Sequence, residues 1–192
     1  MIKFNDFVYE GNVDKVFFTS DLHYSHKNIT NESSWSNLDG VRPFSLSEMN
    51  AYIDAEINKL PSDSVLINCG DQAFGGKDIV TSFIEKVNNS CTHIYVRGNH
   101  DHHINAPDIL YINIKGQLIQ ICHYPIISYH QQDKGAWMLH GHCHGELPLS
   151  DLKILDVGFD TKAYNHKPYT FYKFSEVARI METKQIHHRH GA

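Results

Sequence analysis

Short apolar runs that end in metal-binding residue types constrain this 192-residue chain more than any other feature. Each run is short enough to be a buried strand. In open α/β sheets, ligand sites form at the carboxyl ends of the strands. One polar cluster per strand end is therefore what a single convergent site looks like in a sequence. The five runs begin at Val16, Val65, His93, Leu118 and Trp137, and the clusters that follow them are Asp21 with His23, Gly70-Asp71, Gly98 to Asp101, His123, and Gly141 to His144.

The side chains in these clusters carry carboxylate, imidazole and amide groups, which suit hard or borderline divalent metal ions. Histidine is also unusually frequent, at 15 of 192 residues. Asp and Asn are common in turns after strands, which would explain Asp21, Asp71 or Asn99 one at a time. Turn chemistry does not explain the histidines that occur in register with them. The pattern therefore indicates a metal site.

In chain order the clusters read D-x-H, G-D, G-N-H-D, a His before Tyr-Pro, and G-H-x-H. This ordered set resembles the calcineurin-like metallophosphoesterases, dinuclear metal hydrolases that act on phosphate esters. The resemblance runs from about Lys15 to Arg179. Small bacterial and phage members are the finer match, through residues 19–29, Arg42-Pro43-Phe44 and Glu48-Met49-Asn50. It implies an α/β (mixed α+β) fold with two packed mixed β-sheets flanked by helices, the calcineurin-like metallophosphoesterase sandwich.

The same resemblance implies two divalent metal ions. One ion takes Asp21, His23, Asp71 and His144, and the other takes Asp71, Asn99, His123 and His142. Asp71 is shared because a carboxylate has two oxygens and bridges ions about 4 Å apart. We expect Mn²⁺, with Fe, Zn, Ni or Co as alternatives. His142 and His144 are two residues apart, so in an extended chain they would point the same way and Cys143 would point away.

Two further residues are catalytic candidates by the same resemblance. His100 would be a general acid, or a cation that stabilises the transition state, near the leaving-group oxygen. Asp101 would orient the His100 ring, and the nucleophile would be a metal-bridging hydroxide. His26 is a candidate for substrate binding, with a surface-loop histidine as the alternative. Arg42 is another, with a structural salt bridge as the alternative.

The expected activity is hydrolysis of a phosphate ester. The expected substrate is a phosphodiester, either a nucleotide or a nucleic-acid end. A phosphomonoesterase acting on a nucleotide or sugar phosphate is the alternative within the class. A non-catalytic metal-binding scaffold with this fold is the alternative from another class. Phosphoprotein phosphatases of this superfamily usually carry an Arg shortly after the G-D motif, and a later G-N-H-E motif. This chain has no Arg close after Gly70-Asp71, and its later motif is G-N-H-D. The resemblance therefore disfavours a protein phosphatase.

Length and composition fit one domain over residues 1–192, with a core at about 15–180 and a disordered His-rich tail at 184–192. The net charge of −5 argues against broad attraction to a nucleic-acid backbone. No apolar run has the length of a membrane span, and neither a membrane nor a protein partner is indicated. With no export signal and no C-x-x-C spacing, we expect a cytoplasmic protein with four reduced cysteines.

Local signals predict several further elements. Ser45 and Glu48 form a capping-box pattern before a helix that includes Met49, Ile53 and Ile57. Lys115-Gly116 indicates the turn of a hairpin. The other predicted elements are an edge strand within Met1–Asp14, a helix over Asp78–Val87 after Gly75-Gly76, strands at Ile154–Val157 and Tyr169–Tyr172, and a last helix capped by Ser175.

Overall fold

Over the residues that the structure describes, the chain forms two mixed β-sheets and three α-helices. A computed structural model describes residues 5–34, 42–147, 151–162 and 168–186. The five apolar runs of the sequence all form strands. The strands are β1 Phe7–Tyr9, β2 Val16–Thr19, β3 Val65–Asn68, β4 Thr92–Tyr95, β5 Ile109–Ile114, β6 Gln117–Cys122, β7 Trp137–His140, β8 Ile154–Asp156 and β9 Tyr172–Lys173.

One sheet has the order β4-β3-β2-β9 and the other has the order β1-β5-β6-β7-β8. In the first sheet β2, β3 and β4 are parallel and β9 is antiparallel. In the second sheet β6, β7 and β8 are parallel, and β5 with β6 forms the predicted antiparallel hairpin. Parallel neighbouring strands have their carboxyl ends at the same edge of the sheet. Each sheet therefore supplies its own group of strand-end loops.

A continuous apolar core joins the two sheets. Phe18 and Ile67 contribute to it from the first sheet, and Ile121 and Leu139 from the second. All four are fully buried. Burial at roughly 25 cal/mol per Å² of apolar surface makes this packing the main term that holds the sheets face to face. The predicted two-sheet α/β architecture is confirmed.

The helices are α1 Leu46–Asn58, α2 Lys77–Ser90 and α3 Phe174–Glu182. The capping box predicted for α1 is present, because the Ser45 side chain accepts from the Glu48 N–H while the Glu48 carboxylate accepts from the Ser45 N–H. Met49, Ile53 and Ile57 are buried as their spacing predicted. Together with α2 they pack on Leu66 at the outer face of the first sheet.

The prediction that Ser175 caps the last helix is wrong. The N-cap residue is Lys173, and its side chain makes no capping hydrogen bond. The helix begins earlier because β9 leads straight into it and Phe174 packs on Trp137, with ring centroids 5.5 Å apart. The final strand is shifted as well, to Tyr172–Lys173, although it lies at a sheet edge as expected.

Of the His-rich tail expected at 184–192, residues 187–192 lie outside the residues that the structure describes. Within the described ranges, no helix combines the length and the apolar character needed to cross a membrane. All four cysteines are free, and Cys69, Cys91 and Cys122 are buried.

Candidate metal centre

The strand-end loops of both sheets meet at one place. Asp21 and His23 follow β2, and Asp71 follows β3, in the first sheet. The second sheet supplies His123 after β6 and the Gly141–His144 loop after β7. Backbone hydrogen bonds continue past the strands and join the sheets; the Phe159 N–H, after β8, donates to the Ser20 carbonyl at 2.8 Å. The predicted convergence is therefore present, and both sheets build it.

In the described part of the chain there are two groups of potential ligand atoms, and the atoms within each group lie within 4.8 Å of one another. Asp21 belongs to both groups. In the first group, Asp21 Oδ1 is 3.9 Å from both His23 Nε2 and His144 Nε2. In the second group, Asp71 Oδ2 is 3.3 Å from His123 Nε2. Asp71 Oδ2 also lies 3.8 Å from His23 Nε2, so this one oxygen faces both groups.

Asn99 and His142 extend the second group toward solvent. Asn99 Oδ1 is 2.8 Å from His123 Nε2 and 3.0 Å from His142 Nδ1. Asn99 and His142 are exposed, whereas Asp21, Asp71 and His123 are at most 2% exposed. The centre therefore has a buried floor and an open rim, so that a substrate would reach it from one side.

Two of the imidazoles, those of His123 and His144, are held so that Nε2 points into the centre. The His123 Nδ1–H donates to the Cys69 carbonyl at 3.0 Å. The His144 Nδ1–H donates to the Asp160 carboxylate at 2.7 Å. In metal sites a hydrogen bond to the other ring nitrogen fixes the tautomer and leaves the first nitrogen free to ligate. These two histidines are therefore arranged as ligands of this kind are.

Backbone strain is concentrated in the same residues. In the left-handed region, a non-glycine residue costs of order 1–3 kcal/mol, and such residues cluster at functional sites. Five of the seven expected ligands have such a backbone: Asp21 (φ 53°), His23 (φ 51°), Asp71 (φ 54°), His142 (φ 69°) and His144 (φ 47°).

His142 and His144 do not reach the centre in the way that their spacing suggested. The expectation of an extended His-Cys-His segment is wrong, because both histidines are left-handed and lie in a turn after β7. Cys143 is partly buried. Burial raises the pKa of its thiol to about 11, so a thiolate is disfavoured there in the metal-free chain.

Two glycines permit the close approach of these loops. A methyl group on Gly98 would overlap the Asp71 carboxylate and its backbone nitrogen. A methyl group on Gly141 would overlap Ser20 Oγ and Asp21 Oδ2. The His142 N–H, next to Gly141, donates to both oxygens of Asp21 at 3.0–3.1 Å. Glycine at these positions lets one loop hold the carboxylate of another.

The electrostatics of the buried floor favour a cation. Burial raises the pKa of Asp21 to about 7, even though His144 and His123 lie close by and act in the opposite direction. Burial also lowers the pKa of His23 well below its usual value, which leaves this imidazole neutral. A neutral imidazole and a carboxylate that needs positive charge are a donor set that fits a divalent metal ion.

Arg42 is committed to structural contacts. It is 1% exposed, its Nη1–H donates to the Leu22 carbonyl at 2.8 Å, and its Nη2–H donates to Asp160 at 3.2 Å. The structural salt bridge that the sequence left open is thus present. Its guanidinium group is buried among these partners, so we do not assign it a direct contact with a substrate phosphate.

His26 and His100 lie beside His23. His26 is 6% exposed, so the alternative of a surface-loop histidine is wrong. Its ring stacks on Phe74, with centroids 4.1 Å apart, and the His100 ring is 5.3 Å from that of His23. The His100 N–H donates to Asp71 Oδ1 at 2.8 Å. His100 is thus placed at the edge of the centre.

Asp101 does not orient the His100 ring as the sequence suggested. Its carboxylate accepts from three backbone N–H groups, those of Asp71, Gln72 and Gly98, at 2.8–3.0 Å. It therefore fixes the turn after β3 against the turn after β4. The two turns carry Asp71 and Asn99, so Asp101 acts on the centre through the backbone.

Sequence reasoning missed Asp160 and Phe74, and it used Tyr124 only as part of the motif around His123. Asp160 bonds His144 and Arg42 from a loop after β8, and this contact spans up to 118 residues of sequence. Phe74 and Tyr124 are 38% and 48% exposed next to the centre. The available signals were an Asp shortly after a predicted strand and large aromatic residues directly beside motif residues.

An α/β sandwich of two mixed sheets, with carboxylates and imidazoles gathered at its strand ends, defines the class of this protein. Residues 14–191 match the family model of the calcineurin-like phosphoesterases. The chain therefore belongs to the calcineurin-like phosphoesterase family, and it is a metal-dependent phosphoric ester hydrolase. The family depends on two metal ions. A search of curated proteins found no match.

One similar solved structure supports the fold, and two others are weaker matches. A protein of unknown function, AQ665 from Aquifex aeolicus, is 18% identical with a TM-score of 0.58, and the alignment covers 86% of this chain and 98% of that one. A predicted phosphoesterase from Streptococcus pneumoniae is 20% identical over 75% of this chain and 70% of its own, with a TM-score of 0.39. The phosphoesterase YfcE from E. coli is 17% identical over 74% and 77%, with a TM-score of 0.38.

Proposed function

We propose that this protein hydrolyses a phosphodiester at two divalent metal ions, of which Mn²⁺ is the expected species. In this proposal, one ion takes Asp21, His23, Asp71 and His144, and the other takes Asp71, Asn99, His123 and His142. The observation that carries the proposal is the position of Asp71 Oδ2, 3.8 Å from His23 Nε2 and 3.3 Å from His123 Nε2. A single carboxylate that faces two donor groups is suited to bridge two ions.

The bound ions would supply positive charge against the phosphate oxygens and would lower the pKa of water. The chain supplies the geometry. Asp101 and the His100 N–H hold the turns that carry Asp71 and Asn99. The His100 ring lies at the edge of the centre, where its imidazole would donate a proton to the leaving-group oxygen or stabilise its charge. His26, which stacks on Phe74 and packs at a tilt against His23, would support that side of the substrate.

Charge supports a diester over a monoester. A diester carries one negative charge at neutral pH, whereas a monoester carries nearly two. Two arginines approach the centre in the described part of the chain, and both are paired. Arg42 is bound to Asp160, and Arg97 is bound to Asp108 at 2.8 Å. Arg42 is buried in its pair, and Arg97 already has an anionic partner, which favours the monoanionic substrate.

The test compares bis(4-nitrophenyl) phosphate with 4-nitrophenyl phosphate, using the Mn²⁺-loaded protein. We expect a higher kcat/KM for the diester. A higher value for the monoester would establish the phosphomonoesterase alternative. Hydrolysis of neither ester, with two ions bound, would favour the non-catalytic scaffold.

The role of His100 is tested with His100→Ala. We expect kcat to fall by about 10²–10⁴-fold, the range for loss of a general acid, while the metal content measured by elemental analysis stays at two ions. His103→Ala is the matched control, because His103 is an exposed histidine of the same loop. Unchanged kcat in His100→Ala would remove this residue from the mechanism.

A further inference from the structure

A cleft opens beside the second group of metal-binding residues. Its cavity volume is about 340 Å³, and Arg97, Asn99, His102, Asp108 and Tyr124 are among the residues that line it. Asn99 belongs to both the cleft and the proposed metal centre, so the cleft is continuous with the place where a phosphate would bind. Ligand pockets span about 300–1,000 Å³. This cleft therefore has room for one small organic group, and it is too small for several.

Tyr124 forms an aromatic wall of the cleft. Its ring packs edge-on against the His142 ring, with centroids 4.6 Å apart and planes at 62°. It packs in the same manner against His123, at 5.2 Å and 71°. These contacts fix the ring on two of the proposed ligands, yet 48% of the residue remains exposed. A fixed, exposed aromatic ring is a stacking platform for another planar group.

The three charged side chains that line the cleft, Arg97, Asp101 and Asp108, are all hydrogen-bonded, and two of them are carboxylates. Arg97 Nε–H and Nη2–H both donate to one oxygen of Asp108, at 3.1 and 2.8 Å. The carboxylate of Asp101, which also lines the cleft, accepts from three backbone N–H groups. A second phosphate or another strongly charged group would find no free partner here. The paired groups still offer hydrogen-bond donors and acceptors to a neutral polar ring.

We infer that this cleft binds the nucleobase of a nucleoside ester, stacked on Tyr124, while its phosphate lies at the metal centre. A nucleobase is planar, uncharged and polar at its edges, which matches the wall, the charge and the lining of the cleft. The inference rests on the proposed phosphodiesterase function and names the substrate class of that site. Tyr124 contacts His123 and His142, whereas His100 lies beside His23 and Phe74. The nucleoside is therefore the retained ester group, and the leaving group lies on the His100 side.

The test uses two diesters with the same charge and the same leaving group, thymidine 5′-(4-nitrophenyl phosphate) and methyl 4-nitrophenyl phosphate. The ratio of their kcat/KM values isolates the contribution of the retained ester group. We expect the Mn²⁺-loaded wild type to prefer the thymidine ester. Because stacking of one base contributes about 1–3 kcal/mol by alanine substitution, Tyr124→Ala should lower the ratio by roughly 5- to 150-fold.

Tyr124→Phe keeps the aromatic ring and should retain most of the preference. Ile127→Ala is the matched control, because Ile127 is 61% exposed three residues further along and does not line the cleft; its ratio should equal that of the wild type. Equal kcat/KM for both esters in the wild type, or an unchanged ratio in Tyr124→Ala, would overturn the nucleobase assignment and leave the phosphodiesterase function intact. Hydrolysis of neither ester would overturn both.

Discussion

Asp71 is the residue on which the centre depends most. One of its carboxylate oxygens accepts from the His100 N–H, and the other faces His23 and His123. Its left-handed backbone, with φ of 54°, is maintained by Asp101, which accepts from the Asp71 N–H. These contacts together fix the position of the Asp71 carboxylate. Removal of the carboxylate charge should therefore affect both ions together.

For Asp71→Asn we expect loss of both bound ions and a fall in kcat/KM of about 100-fold or more, since metal ions supply several kcal/mol of transition-state stabilisation. Elemental analysis after dialysis and a diester assay check this. Cys143→Ser is the control, because we expect the Cys143 thiol to ligate no ion. A variant that keeps two ions and the full rate would show that Asp71 is not the bridge.

Asp160 is a positioning residue that acts through His144. Burial raises the pKa of its carboxyl group, but Arg42 and His144 outweigh that effect and lower the pKa to about 2. Asp160 is therefore ionised and able to hold the His144 Nδ1–H. The loss of such a partner behind a ligating histidine typically costs 10–100-fold in metal affinity or activity.

Asp160→Asn should therefore weaken Mn²⁺ binding by about 10- to 100-fold, because the amide keeps the shape of the side chain and loses its charge. Competition with a metal-sensitive dye measures the affinity. Asp133→Asn, at an exposed position after β6, should leave it unchanged. Equal affinities in the two variants would mean that Asp160 only stabilises the fold around Arg42.

At the scale of elements, the loops after β2 and β7 pack closely against each other and carry four of the proposed ligands. The Gly141 backbone lies against Ser20 and Asp21, and the space admits no side chain. Gly141→Ala should destabilise the fold by about 1–3 kcal/mol through overpacking, and it should also weaken metal binding. Chemical denaturation and a metal titration give the two values.

Gly76→Ala is the matched substitution, because a methyl group there meets nothing within 4 Å. It should leave the metal affinity unchanged. A Gly141→Ala protein with wild-type stability and metal affinity would contradict the role of this close approach.

Local patterns were sufficient to predict many elements but not their assembly. The capping box of Ser45 and Glu48 and the Lys115-Gly116 turn are determined by residues that are close in sequence. The local pattern was therefore enough to predict them. The start of α3 depends on the packing of Phe174 against Trp137, 37 residues earlier. The local capping signal predicted Ser175 as the N-cap instead. The His142–His144 spacing was interpreted as a strand period, whereas tertiary contacts with Asp21 hold it in a turn.

At the scale of the whole molecule, the centre exists because two sheets place their strand ends together. The sequence indicated which strands end in candidate ligands, and the family resemblance supplied the two-sheet arrangement. Asp160, Phe74 and Tyr124 gain their roles from contacts across sheets and loops, which no local pattern records. The net charge of −5 does not oppose a phosphate substrate, because the bound ions would set the local sign.

The two-ion centre is tested most directly by a titration of metal-stripped protein with Mn²⁺, in which bound metal and hydrolysis of bis(4-nitrophenyl) phosphate are followed together. We expect no hydrolysis without metal and a rate that rises to a plateau as two high-affinity sites fill. Asp71→Asn should show no such rise. Full activity in the stripped protein, or a plateau reached with one ion bound, would contradict a two-ion centre bridged by Asp71.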